Sequence, residues 1–197
     1  EQRAMWARGQ MEANPKQGEI RMHPGNMCFQ GPPGTGKSTV ARLMGKFLFG
    51  LGVIGSPRVI EVSRFQLIAA YIGQSASRVR EAFERARGGV LFVDEAYSFM
   101  NDPKDPFGKE SLDELVAQIT RPENDATVVI LAGYERPMQE LFVRNPGLIR
   151  RVPHTFRFEH FEPSECAAIA RRILERQGLT CDAEFFEFVE RRAAEAR

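Results

Sequence analysis

Cysteine is scarce in this 197-residue chain: Cys28, Cys166 and Cys181 are too few and too scattered for a disulfide framework, and none has a Cys-x-x-Cys neighbour or metal-ligand spacing. The three are expected to be buried structural thiols in the cytoplasm or another reducing compartment. An excess of charge is missing as well. Lysine and arginine number 27 against 26 acids, a net charge of +1, so bulk electrostatics supplies no reason to bind nucleic acid or an anionic membrane. No apolar run reaches the roughly 20 residues that cross a bilayer; the richest stretch, 47–54, is broken by Gly50 and Gly52. The opening EQRAMWARGQ has neither a signal-peptide core nor an initiator Met, and reads as the start of a piece of a longer protein. His23, His154 and His160 stand at no metal-ligand spacing and are expected at the surface or in packing.

What is present is an ordinary globular composition, 43% hydrophobic and 27% charged. Short β-rich runs alternate with helical periods, the pattern of an α/β fold with a parallel sheet covered on both faces. The strands are expected at 26–30, 58–62, 90–93, 128–132 and 155–158. Between them Val40, Leu43, Met44, Phe47 and Leu48 recur at helical spacing, as do Val79, Phe83 and Ala86, then Leu112, Leu115, Val116 and Ile119. Ser111 and Glu114 have the spacing of a capping box at the start of that third helix. After Phe161 the β signal stops: Pro163 or Ser164 opens a helix that Gly178 ends, and Asp182 caps another carrying Phe185, Phe186 and Val189. An α/β unit over 1–160 and a helical unit over 161–197 are therefore expected, with a turn-rich insertion at 101–108.

Two stretches carry chemistry. Gly31-Pro32-Pro33-Gly34-Thr35-Gly36-Lys37-Ser38 matches the phosphate-loop pattern throughout, between an apolar strand and a helix. Glycines let backbone N–H groups close on phosphate oxygens, the helix N-terminus adds positive dipole, Lys37 reaches the β and γ phosphates, and the Ser38 hydroxyl ligates Mg²⁺. Thr39 continues the same nucleotide-binding run. Val90–Val93 is an apolar strand that ends in Asp94 and Glu95, so both acids emerge at the carboxyl edge of the sheet, where α/β ligands sit. Asp94 suits the Mg²⁺ shell, and Glu95 suits orientation or deprotonation of an attacking water. A water-activating carboxylate belongs to a hydrolase rather than a small-molecule kinase, and the absence of Asn-Lys-x-Asp disfavours a GTPase.

With these motifs the chain resembles an AAA+ ATPase. It is similar more narrowly to the CbbX/CfxQ family, which includes red-type Rubisco activases, stage V sporulation protein K and type VII secretion ATPases. The narrower likeness rests on RVIEVSRFQLIAAYIGQSA, ARGGVLFVDEAYSF, FGKESLDEL, VVILAGYERPM and NPGLIRR, over roughly residues 26–175. It does not single out one member, because GPPGTGKST is the general AAA+ form where Rubisco activases typically have GNPGTGKTT. The resemblance implies a sheet ordered 5-1-4-3-2, a helical lid, and a homo-oligomeric ring, usually a hexamer, with ATP at each subunit junction. By position Arg151 matches the arginine finger that reaches a neighbour's γ-phosphate, with Arg150 as the alternative. Tyr71-Ile72-Gly73 matches the aromatic pore loop that grips a threaded polypeptide, an amphipathic contact that any chain can meet.

Two features depart from the family pattern. Tyr134 stands where most AAA+ proteins place a polar sensor Asn after the fourth strand, and it either reads the nucleotide through its hydroxyl or simply packs. The chain also ends at Arg197, before the lid helix that ordinarily supplies the sensor-two arginine. The alternating charges of Arg171, Arg172, Arg176, Arg191 and Arg192 with Glu175, Glu187 and Glu190 suit a solvated helix face or a subunit contact. The leading expectation is ATP hydrolysis coupled to remodelling of a protein substrate, in a stroma-like compartment if the chain is a Rubisco activase. A nucleic-acid-directed AAA+ machine is disfavoured by the neutral charge and the aromatic loop, and a non-hydrolysing assembly module by intact Lys37, Asp94 and Glu95.

Overall fold

Runs of β-branched, aromatic and aliphatic residues form the sheet: β1 (Met27–Gln30), β2 (Val59–Val62), β3 (Val90–Val93), β4 (Val128–Gly133) and β5 (His154–Arg157). This computed structural model describes residues 24–69, 74–102 and 104–195. The strands pair in parallel in the order β2-β3-β4-β1-β5. That is the expected 5-1-4-3-2 arrangement, counted from the opposite edge. Every residue of β1, β3 and β4 is buried, because helices cover both faces.

The strand period of two sends alternate side chains to two separate cores. Val90, Phe92, Val128 and Ile130 join Met27 and Phe29 against α1 (Lys37–Gly50), through its Ala41 and Leu48. Leu91, Val93, Val129 and Leu131 face α3 (Ser75–Ala86) and α4 (Pro106–Ile119), through Val79, Phe83, Leu112 and Leu115. Burying each such aliphatic or aromatic side chain is worth about 1.5–3 kcal/mol, so a polar residue in β3 would be costly on either face. Within the helical period read over α1, Leu43 and Phe47 point away from this core, each 58% exposed. Their spacing marks the helix, and Ala41, Gly45 and Leu48 mark its buried face.

The start of α4 differs from expectation. Asp105 is its N-cap, accepting from the backbone N–H groups of Phe107 (3.0 Å) and Gly108 (3.1 Å), with Pro106 at the first helical position. Ser111 lies inside the helix, buried, and its hydroxyl donates to the Leu67 carbonyl at 3.0 Å. Glu114 pairs with Arg80 at 2.8 Å, so the capping-box spacing of Ser111 and Glu114 is used for tertiary contacts instead. Asp105 also pairs with Arg64, at the start of the short helix α2 (Arg64–Leu67). Two helices, α5 (Glu135–Arg144) and α6 (Pro146–Arg151), connect β4 to β5.

The chain divides into compact units at Glu1–Phe158 and Glu159–Arg197. The second is a helix pair, α7 (Pro163–Arg176) and α8 (Ala183–Glu195). Glu162 and Glu165 make the capping box of α7, Gly178 follows its end with φ 71°, and the Asp182 carboxylate accepts from Phe185 N–H at 2.9 Å. Of the cysteines only Cys28 is buried, and burial pushes its thiol up to about 12 against the opposing effect of a Gln30 hydrogen bond. Cys166 is half-buried and Cys181 exposed, so the expectation of buried thiols holds for Cys28 alone. Among the described residues no helix is long and apolar enough to cross a membrane, and no His/Cys/Asp/Glu cluster is arranged to hold a metal.

Candidate functional site

At the carboxyl edge of the sheet, the ends of β1, β3 and β4 deliver three loops to one open cleft of about 370 Å³. Pro33, Gly34, Gly36, Lys37, Ser38 and Thr39 line it from the loop after β1; Asp94, Glu95 and Tyr97 line it from the end of β3; Gly133 and Tyr134 line it from the end of β4. The position follows from the topology: β1 lies beside β4 and β4 beside β3, so residues far apart in sequence meet at one edge.

The loop after β1 is built to leave donors free. Gly36 sits at φ 86°, a left-handed conformation that side-chain-bearing residues rarely adopt, and turns the chain into α1. No side chain caps that helix and no acid stands in its first turn, so its N-terminal N–H groups face the cleft without a protein partner of either kind. An uncapped helix N-terminus with a lysine at its first position fits an anionic phosphate group. Lys37 Nζ donates to the carbonyls of Gly31 (2.8 Å) and Pro32 (2.6 Å), which leaves one ammonium proton for an incoming anion. Partial burial pulls the Lys37 pKa down, and Asp94 across the cleft pulls it back up. Gly31 N–H donates to the Gly133 carbonyl at 3.1 Å, tying the start of the loop to the end of β4. Thr35 is buried and its hydroxyl donates to the Pro32 carbonyl at 2.9 Å, so this side chain braces the loop; Gly31, Pro32 and Thr35 do not line the cleft.

The acids leave β3 in an unusual backbone. Glu95 has φ 48°, the only positive φ at a non-glycine residue among the described residues. A Glu there costs on the order of 1–3 kcal/mol unless its surroundings compensate, and such strain concentrates at functional sites. Its N–H donates to the Asp94 carboxylate at 3.0 Å, and its side chain is exposed to the cleft. Asp94 and Ser38, both on the cleft wall, are the oxygen donors suited to a hard divalent cation.

Sequence reasoning missed Tyr97. It lines the cleft beside Glu95, and its ring lies 5.6 Å from that of Tyr134, tilted by 32°. Desolvation, then the nearby Glu95 charge, push the hydroxyl up to about 12, so it carries its proton at neutral pH. An aromatic with a polar tip two residues beyond Glu95 was the available signal.

Arg151 lies off the cleft. It is half-buried at the end of α6, where Nη1 donates to the Gly147 carbonyl at 2.7 Å, its Nε is buried without a partner, and its own carbonyl accepts from Asn26 Nδ2 at 2.8 Å. Arg150 beside it is exposed. Tyr71, Ile72 and Gly73, and also His23, lie outside the described residues.

Residues 27–159 match the family model described as "ATPase family associated with various cellular activities (AAA)". The chain is 41% identical to ESX-1 secretion system protein EccA1 of Mycobacterium tuberculosis over 82% of its own length and 29% of that protein. It is 38% identical to stage V sporulation protein K of Bacillus subtilis, over 82% of this chain and 49% of the relative. It is also 38% identical to the chloroplastic ribulose bisphosphate carboxylase/oxygenase activase of Cyanidioschyzon merolae, over 90% of this chain and 62% of the relative. The chain thus spans between about a quarter and three fifths of the length of the curated relatives it matches.

Proposed function

The chain belongs to the AAA family of ATPases, and from that premise we propose that it binds Mg·ATP in the cleft at the sheet edge and hydrolyses it to remodel or thread a protein substrate. The observation that carries this reading is the convergence, in one cleft, of an uncapped helix N-terminus, an ammonium, and two carboxylates on a strand end. In this reading the N–H groups of Gly36 to Thr39 and the Lys37 ammonium hold the β and γ phosphates. Ser38 and Asp94 hold Mg²⁺, which when bound neutralises phosphate charge during transfer. Glu95 orients a water in line with the γ phosphorus and accepts its proton. Tyr134, which lines the cleft from the end of β4, senses the γ-phosphate end through its hydroxyl in the same reading.

The remodelling half of the proposal rests on family and relatives. The relatives bear names of a secretion protein, a sporulation protein and a Rubisco activase, and Tyr71-Ile72-Gly73 has the sequence of an aromatic gripping loop. Assembly into a ring, with Arg151 of one subunit serving the nucleotide of the next, completes the reading. Its test is steady-state phosphate release from the full-length protein with and without unfolded polypeptide, folded candidate proteins and DNA. Stimulation by a protein supports remodelling. Stimulation by DNA alone, or by nothing, overturns it.

A further inference from the structure

Two tyrosines line the cleft, and the chemistry proposed above uses only one of them. Tyr134 stands just past β4, and Tyr97 stands two residues past Glu95, on the 3-10 turn Ala96–Met100. Glu95 opens that turn with its left-handed backbone, φ 48°. The chain then runs from the end of β3 to the end of β4, where the Tyr97 ring is closely seated. A Cβ built on Gly133 would stand 2.6 Å from Tyr97 Cδ1, and 2.9 Å from Cγ and Sδ of the fully buried Met138. A side chain at 133 would push the ring out of this seat, whereas glycine leaves room for it.

The backbone of Tyr134 is fixed and its side chain is not. Gly133 pairs with Gln30 and its carbonyl accepts from Gly31 N–H, while the Tyr134 carbonyl accepts from Met138 N–H at 3.0 Å. The Tyr134 side chain makes no capping hydrogen bond to α5 and is 39% exposed. An exposed tyrosine on a fixed backbone divides its time among the staggered χ1 wells, and a phenol can donate to a phosphate from only some of them. Among the described residues Tyr97 is the one aromatic ring paired with Tyr134, its centroid 5.6 Å away at a tilt of 32°. An aromatic contact of that geometry favours the rotamer that makes it.

We propose that Tyr97 is a positioning residue for Tyr134: seated on Gly133, its ring holds the Tyr134 ring at the cleft wall with the hydroxyl placed for the γ-phosphate end. This rests on the reading of Tyr134 given above. The role belongs to the ring of Tyr97, and its hydroxyl is not required.

The test is binding, so it needs no turnover. In the full-length protein, Kd is measured by calorimetry for the β,γ-imido analogue of ATP and for ADP, each with Mg²⁺, and the ratio gives the preference for a γ-phosphate. Tyr134→Phe is expected to reduce that preference about tenfold, the worth of one hydrogen bond to a charged group. Tyr97→Leu should reduce it about fivefold, the worth of an aromatic pair in selecting a rotamer, and should add little on the Tyr134→Phe background. Tyr97→Phe keeps the ring and should retain the preference within about twofold. Gly133→Ala, which crowds the ring without removing it, should act in the same direction as Tyr97→Leu.

An unchanged preference in Tyr97→Leu beside a loss in Tyr134→Phe overturns the proposal alone. A loss in Tyr97→Phe equal to that in Tyr97→Leu also overturns it, because the hydroxyl would then matter and not the ring. No loss in Tyr134→Phe overturns the reading of Tyr134, and the proposal falls with it. The contact itself is decided in nucleotide-free protein, where the shifts in denaturation midpoint from Tyr97→Leu and Tyr134→Leu should fail to add in the double variant. Additive shifts overturn the positioning contact.

Discussion

Lys37 and Glu95 divide the labour of the cleft, and their substitution separates binding from turnover. The Lys37 ammonium is partly desolvated and held by two carbonyls of its own loop, so it meets a phosphate at little further cost in ordering. Lys37→Ala is expected to weaken Mg·ATP binding by about 10- to 100-fold, the worth of a charge-assisted hydrogen bond, as measured by calorimetry. Unchanged affinity would remove the phosphate loop from the site. Glu95→Gln retains the shape of the side chain and the Asp94 carboxylate. It should therefore keep Mg·ATP bound, with the change confined to turnover. At this scale the phosphate loop and the strand-end acids are legible in the sequence alone, because their chemistry is written in contiguous residues. Tyr97, whose ring packs against Gly133, and the left-handed Glu95 are not. Each depends on how the ends of β3 and β4 meet, which is a non-local fact.

At the level of elements, the sequence shows where strands and helices lie better than how they begin. Alternation and apolar runs locate all five strands to within about two residues, because buried parallel strands leave unmistakable runs such as Val90–Val93. The order of the strands comes from the family resemblance, since pairing is not encoded in any single run. Local spacing misleads at the start of α4, because Ser111 and Glu114 mimic a capping box while their true partners, Leu67 and Arg80, lie far away in sequence. The actual cap, Asp105 before Pro106, makes its own prediction. Burial would raise the Asp105 pKa, but the Arg64 guanidinium and the N–H groups of Phe107 and Gly108 outweigh it and hold the carboxyl below its usual value. A depressed folded-state pKa contributes stability above the unfolded value of about 3.9, and this contribution is lost as pH falls through the folded value. Asp105→Ala is thus expected to cost about 1–2 kcal/mol at pH 7. The gap from wild type should narrow below about pH 4, as read by denaturant unfolding at both pH values. A cost independent of pH would mean that the charge of Asp105 does not matter.

For the whole molecule, the question is whether the cleft is complete within one chain. Arg151 points to its own helix, and turning it outward forfeits the Gly147 hydrogen bond, at a cost of about 0.5–1.5 kcal/mol. Its buried, unpartnered Nε offsets part of that cost. Arg150 is already exposed. In the assembled full-length protein, Arg151→Ala should suppress hydrolysis with nucleotide still bound, and mixing it with Glu95→Gln subunits should restore some, because one kind of junction then has both Glu95 and Arg151. Suppression by Arg150→Ala alone would transfer the trans cation to Arg150. Legibility is weakest here, since a residue serving a neighbour has its partner outside the chain that encodes it. The central claim, that this cleft hydrolyses ATP through Glu95, is tested most directly by phosphate release at saturating Mg·ATP from wild type and Glu95→Gln side by side. Turnover in the wild type and a fall of about 100-fold or more in the variant is the predicted result, in line with the loss of a general base. Equal rates in the two proteins would contradict it.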